Sequence, residues 1–144
     1  MINKLPLDYK QKNCMAKVNA KTNKAHYKTD IASGDNKIIS DEPFDKGGQN
    51  LGLTPSELLC ASLAACTSIT LRMYSDRKEW PLEKIEVDVE LNRDNENNIT
   101  NFTRNIRLVG TLDDEQKKRL LLIADKCPVH KILSHQILIT TIEI

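Results

Sequence analysis

The run TPSELLCASLAACTSITLRMYSDRKEW, Thr54 to Trp80, decides how this chain folds. Thr54-Pro55-Ser56-Glu57 has the form of a capping box, with threonine at the N-cap, proline at the first helical position and glutamate at the third. No proline or glycine follows until Pro81, so the run predicts a helix from Pro55 to about Glu79. At a rise of about 1.5 Å per residue it is roughly 37 Å long. A compact domain of this size has a radius of gyration of about 14–15 Å, so the helix crosses the whole molecule. Its first half carries no charge between Glu57 and Arg72, and Ala61, Ser62, Ala64, Ala65, Thr67 and Ser68 keep it slim. A helix dry all round must be covered on every side, and one sheet from one chain covers one side. The expectation is a homodimer in which a second subunit covers the rest.

The flanking segments read as strands and two further helices. Upstream, Cys14, Ala16, Val18 and Ala20 alternate with polar residues, as do Ala25, Tyr27, Thr29 and Ile31, with Thr22-Asn23-Lys24 as the turn of a hairpin. Lys37 to Ser40 adds a third strand after the Ser33-Gly34-Asp35-Asn36 turn, and a loop with Pro43, Gly47, Gly48 and Gly52 leads to the helix. Downstream, Ile85, Val87, Val89 and Leu91 alternate with charged residues, and Phe102, Ile106 and Leu108 mark the hairpin partner across the Asn92–Asn98 turn. Thr111 to Glu115 begins a second helix, with acids in its first turn, that runs to about Lys126. A short helix follows around Pro128 to Leu133, and Ile137 to Ile144 is expected to close the chain as a strand. The fold class is α+β, in a single domain over residues 1–144.

Composition narrows the function. With 21 basic and 20 acidic side chains among 144 residues the formal net charge is +1, which gives no global pull toward nucleic acid or membrane. Aromatic residues are only 4%, too few for a base-stacking surface. The first 13 residues lack the apolar core of a signal peptide, and the uncharged stretch Leu58 to Leu71 is shorter than the roughly 20 apolar residues that span a bilayer. The expected location is the cytoplasm, where four cysteines are not a disulfide framework but core residues, metal ligands or redox groups.

Cys127 precedes Pro128 and so lies at the start of the short helix, near unpaired amides and the positive end of a dipole. Lys126, His130 and Lys131 add positive or potentially positive charge. These features favour a thiolate; the competing reading is a boundary cysteine that only packs. Cys66 lies mid-helix, where a cysteine taken alone is usually a small core residue. Its slim surroundings, which let another element reach the sulfur, and the presence of Cys127 raise it to a candidate. Cys60 is six residues earlier, about 240° around the axis, and reads as core, as does Cys14. A metal site of Cys127, His130 and Cys66 has a usable i, i+3 spacing but no Cys-x-x-Cys or His-x-x-x-His pair behind it, so no metal is expected. His26 and His135 read as isolated surface residues. No phosphate-binding glycine loop or serine triad is present, and no cofactor is expected.

Leu53-Thr54-Pro55-Ser56-Glu57-Leu58-Leu59, running into Ala64-Ala65-Cys66-Thr67, resembles the central-helix signature of the OsmC/Ohr family, and Cys127-Pro128-Val129-His130-Lys131 is similar to that family's second cysteine motif. The resemblance implies an OsmC-like fold of antiparallel sheets wrapped around a long central helix in an intertwined dimer. It also implies thiol-dependent reduction of organic hydroperoxides. Cys66 would then be the peroxidatic cysteine and become a sulfenic acid, Cys127 would resolve it as a disulfide, and a cellular dithiol would restore both. The best-characterised peroxidases of that family carry a glutamate directly after the proline and an arginine in the preceding region. Here Ser56 follows Pro55, Glu57 comes one place later, and Lys46 is the only cation of the Asp41–Leu53 loop. Glu57, Lys46 and His130 are the candidate supporting residues, although Glu57 is about 180° around and roughly 13 Å along the helix from Cys66. The alternative reading is a thiol-bearing redox-sensing or small-molecule-binding protein of the same fold with weak or no turnover.

Overall fold

The computed structural model describes residues 16–144. They form two compact units, one ending at Pro55 and the other beginning at Ser56.

The first unit is a three-stranded antiparallel sheet of β1 (Asn19–Thr22), β2 (Thr29–Ser33) and β3 (Asn36–Ser40) in that order. The β2–β3 hairpin turns on Gly34 and Asp35, with Gly34 at φ 58°, a conformation that glycine enters without steric cost. The β1–β2 link is longer than the alternation implies: β2 begins at Thr29, so Ala25 and Tyr27 precede the strand. Cys14 and the start of the first expected strand lie outside the described residues.

A short 3₁₀ turn (Phe44–Lys46) follows, and Asp41 organises the loop around it. Only 2% exposed, its carboxylate accepts from the amides of Tyr27 (3.0 Å), Glu42 (2.8 Å), Gln49 (3.1 Å) and Leu51 (3.2 Å). Burial disfavours the charge, but the four amides outweigh it and hold the carboxyl below its ordinary pKa. Gly48 is required here, because a Cβ would stand 1.9 Å from the Glu42 carbonyl oxygen.

The second unit is built on α1 (Pro55–Arg77). The helix stops two residues short of Glu79 because Glu79 turns left-handed, at φ 55°. The Trp80 amide then reaches the Ser75 carbonyl (3.0 Å) and the Glu79 amide reaches that of Asp76 (3.1 Å), the two bonds of a Schellman ending. Within the chain α1 is covered along one stripe, Leu63, Thr67, Leu71 and Ser75, each four residues from the next. Leu59, Ile69 and Met73 are about half exposed. Among the described residues α1 is also the one helix long and apolar enough, by length and composition, to cross a membrane.

Two long antiparallel strands, β4 (Leu82–Asp94) and β5 (Ile99–Gly110), pair with Val87 opposite Ile106, Val89 opposite Arg104 and Leu91 opposite Phe102. Even-numbered residues of β5 from Phe102 onward face inward and odd-numbered ones outward. The helix α2 (Asp114–Ala124) starts where Asp113 and Gln116 cap each other reciprocally, at 2.7 and 3.0 Å. The core joins Leu71 of α1, Leu82 of β4, Leu112, and Leu120 and Ala124 of α2; Tyr74 and Trp80, edge to face with each other, pack against it. Arg72 fastens α1 to the start of β4 through the carbonyls of Leu82 (2.5 Å) and Glu83 (3.0 Å). The helix α3 (Pro128–Leu133) follows as expected.

The closing strand does not form. Residues 136–144 are irregular, and Leu138, Ile139 and Ile142 are more than three-quarters exposed. A strand exists only where a neighbouring edge supplies its hydrogen bonds, and among the described residues none pairs with this segment.

Candidate active site: a thiol pair at the long helix

The turn between α2 and α3 delivers Cys127 to the side of α1. Asp125 ends α2, the Cys127 amide donates to the Ala124 carbonyl (3.3 Å), and Pro128 begins α3. Cys127 is thereby sealed from solvent, at 0% exposure. Its side chain meets that of Cys66, which is itself half-buried, and each of the two free thiols affects the other's titration. Cys60 is also free, and its distance around α1 separates it from the pair.

The two sulfurs are not equivalent. Burial disfavours charge on Cys127, but the bond from Cys66, the amides of His130 and Val129 and the hydroxyl of Thr67 outweigh it and draw the thiol below its ordinary pKa. Cys127 closes no regular side-chain cap on α3, so the two amides act on the sulfur through proximity rather than a well-formed cap. Burial raises the Cys66 pKa, and its bond to Cys127 raises it further, against weaker help from the Val129 amide and Thr70. The opposite directions make Cys127 the more readily deprotonated of the two.

A buried arginine that the sequence reading passed over stands beside this pair. Arg104, its side chain 12% exposed, donates from Nη1 to Thr67 Oγ1 (2.9 Å) and to the Ala124 carbonyl (3.1 Å), and from Nη2 to Asp125 Oδ1 (2.8 Å). It thus joins β5, α1 and the C-terminal end of α2, where a cation is favourable. A signal was present in the sequence: position 104 lies on the inward face between Phe102 and Ile106, where alternation calls for an apolar residue. A charge is put there only when partners await it.

The candidate supporting residues fall out differently. His130 contributes its amide to Cys127, while its imidazole Nδ1 stands 3.8 Å from Asp125 Oδ1. Glu57 lies in the first turn of α1, about 13 Å along the axis from Cys66. Lys46, in the first unit, faces Glu42 at 3.8 Å. His26 stacks on Tyr27, and His135 bonds the Lys131 carbonyl through Nδ1. Among the described residues no three His, Cys, Asp or Glu side chains gather as a metal-binding group. A cleft of about 360 Å³ opens beside the arginine, lined by Leu63, Phe102, Arg104, Asp125, His130, Leu133 and Ser134; neither sulfur lines it.

The elements and the site define an α+β protein with antiparallel sheets, one long helix and a pair of neighbouring free cysteines, one of them fully buried, at that helix. The model of the OsmC-like protein family matches residues 47–142, and the chain belongs to that family. Its fold is shared with an OsmC-like protein from Mycoplasma pneumoniae (18% identity, TM-score 0.71, covering 82% of this chain and 86% of that one). It is shared also with the organic hydroperoxide resistance protein OsmC from Legionella pneumophila (20% identity, TM-score 0.63, 83% and 88% covered). A third likeness is to the organic hydroperoxide resistance protein OhrB of Bacillus subtilis (23% identity, TM-score 0.58, 83% and 90% covered). No curated protein matches the chain in sequence.

Proposed function

We propose that this protein is a thiol peroxidase that reduces organic hydroperoxides through Cys66 and Cys127. The observation that carries the reading is the meeting of two free thiols, a half-buried Cys66 on α1 and a fully buried Cys127 at the start of α3. Cys127 gives a route to the nucleophile: the Cys66 proton passes to it, and the Cys66 thiolate attacks the terminal peroxide oxygen. The O–O bond breaks, the alkoxide takes a proton from solvent and leaves as the alcohol, and Cys66 becomes a sulfenic acid. Cys127 then attacks the Cys66 sulfur, forming the disulfide and releasing water. A cellular dithiol returns two electrons and two protons, and is itself oxidised. Membership of a family with organic hydroperoxide resistance proteins among its structural relatives supports the choice of substrate.

The same reading has the protein work as a homodimer in the cytoplasm and as one domain, since the family match crosses the boundary between the two units. The half-exposed Leu59, Ile69 and Met73 on α1 support a covering subunit. Consumption of cumene hydroperoxide by the reduced protein with dithiothreitol tests it: turnover in the wild type and none in Cys66→Ser is the expected result. Wild-type protein that consumes no hydroperoxide overturns it.

One observation favours a second reading. The fully buried Cys127, and not Cys66, is the thiol drawn below its ordinary pKa, an arrangement that suits a slowly oxidised thiol sensor or a binding protein. Oxidation by peroxide to a stable disulfide without sustained turnover is the outcome that distinguishes it.

A further inference from the structure

We propose that Arg104 is a positioning residue of the thiol pair, acting through Thr67: its guanidinium fills the acceptor side of the Thr67 hydroxyl and leaves that hydroxyl's single hydrogen for Cys127. Arginine has donors only, so the 2.9 Å contact between Nη1 and Oγ1 is one in which Thr67 accepts. A hydroxyl with an arginine on one side has its proton free for an acceptor on the other, and in the proposed arrangement the Cys127 sulfur, whose pKa Thr67 helps to lower, takes that place. The neighbouring Ser68 shows the alternative: its hydroxyl turns back to the Ala64 carbonyl at 2.9 Å, the usual habit of a hydroxyl within a helix. Thr67 and Cys127 are both at 0% exposure, so water does not compete for the bond.

The arginine is itself held from two further directions. The Ala124 carbonyl takes a second hydrogen bond from Nη1 and Asp125 takes one from Nη2, so the guanidinium plane is set independently of Thr67. The titratable and charged groups packed about the Cys127 sulfur are Cys66 from α1, Arg104 behind Thr67 from β5, Asp125 at the end of α2 and His130 on α3. Lys126 and Lys131 are exposed to water. Of these, Arg104 reaches the sulfur through a directed hydroxyl, and its charge is partly offset by Asp125. The inference gives the pair its asymmetry: the threonine directly after Cys66 polarises the opposite cysteine.

The proposal deepens the peroxidase reading but is tested without it, on the fully reduced full-length protein. Titration of the Cys127 ¹³Cβ chemical shift is followed in wild type, Arg104→Met, Arg104→Lys, Thr67→Val and Thr67→Ser. The expected result is a Cys127 midpoint raised by about one pH unit in Arg104→Met and in Thr67→Val. Thr67→Ser, which keeps the hydroxyl, should titrate as wild type, and Arg104→Lys should recover part of the shift. A purely structural arginine lowers the melting temperature and leaves the midpoint in place, which overturns the proposal. A shift in Arg104→Met without one in Thr67→Val overturns the route through the hydroxyl. Should Arg104→Met fail to fold, the near-isosteric Thr67→Val against Thr67→Ser decides the question: equal midpoints in those two sink it. A wild type that titrates as expected but consumes no hydroperoxide refutes the peroxidase reading and leaves this one standing.

Discussion

Cys66 and Cys127 lie 61 positions apart in the chain (127 − 66), yet their side chains meet where the α2–α3 turn reaches α1. That places them near enough for a disulfide to form with a modest shift of the α2–α3 turn. Mild peroxide treatment followed by peptide mapping is expected to return a Cys66–Cys127 bridge as the only rapidly formed disulfide. A bridge involving Cys60 or Cys14 contradicts the assignment.

The two cysteines should fail differently when removed. Cys66→Ser is expected to abolish peroxide consumption. Cys127→Ser should permit one oxidation, trapped as a sulfenic acid on Cys66, and block turnover through the disulfide. It should also slow that oxidation, since the variant lacks the sulfur that accepts the Cys66 proton. A sulfenic-acid probe on each variant reads the outcome. Label appearing on Cys127 of Cys66→Ser at the wild-type rate of reaction reverses the roles.

The exposed side of α1 bears on assembly. A lysine at position 69 sets a charge one turn before Met73 on the exposed side of α1. Ile69→Lys is expected to shift sedimentation at micromolar concentration from dimer toward monomer or to cost the protein its fold. Wild-type protein that sediments as a folded monomer sinks the dimer.

Glu79 is a natural place for a stabilising change. It occupies the left-handed position of the α1 ending at φ 55°, a conformation costing a side-chain-bearing residue roughly 1–2 kcal/mol. Glycine removes that cost and adds back part of it as lost chain entropy. Glu79→Gly is expected to stabilise by about 0.5–1 kcal/mol, read as a higher melting temperature. An unchanged or lower value shows that the glutamate side chain contributes more than its backbone costs.

Asp41 gives a pH dependence with a definite sign. Its pKa is lowered on folding, so its stabilisation is present above the unfolded carboxylate pKa, about 4, and is lost as pH falls through the lower folded value. Asp41→Asn is expected to melt below wild type at neutral pH, with the gap closing as pH falls below about 4. A gap that stays constant into acid means the carboxylate charge is not what orders the loop.

The elements of this protein are local events, and the chain announces them locally. The start of α1 follows from Thr54-Pro55-Ser56-Glu57, the β2–β3 turn from Gly34-Asp35, the β4–β5 hairpin from alternation, and α3 from Pro128. Each depends on backbone geometry and burial period within a few residues. The candidacy of Cys66 and Cys127 was also legible, from the slim helix around one and the helix start around the other. Their contact was not, because a meeting of side chains 61 positions apart depends on how α1 meets the α2–α3 turn. Residues 137–144 have the alternation of a strand and no strand forms, since propensity lies in the residues and pairing lies in the neighbour. Arg104 shows the same division most clearly. Its inward position on β5 could be counted from Phe102 and Ile106, but its partners on α1 and α2 come from elements 37 and 20 residues away. Packing alone brought a guanidinium, a hydroxyl and two sulfurs together, and no count along the chain places them side by side.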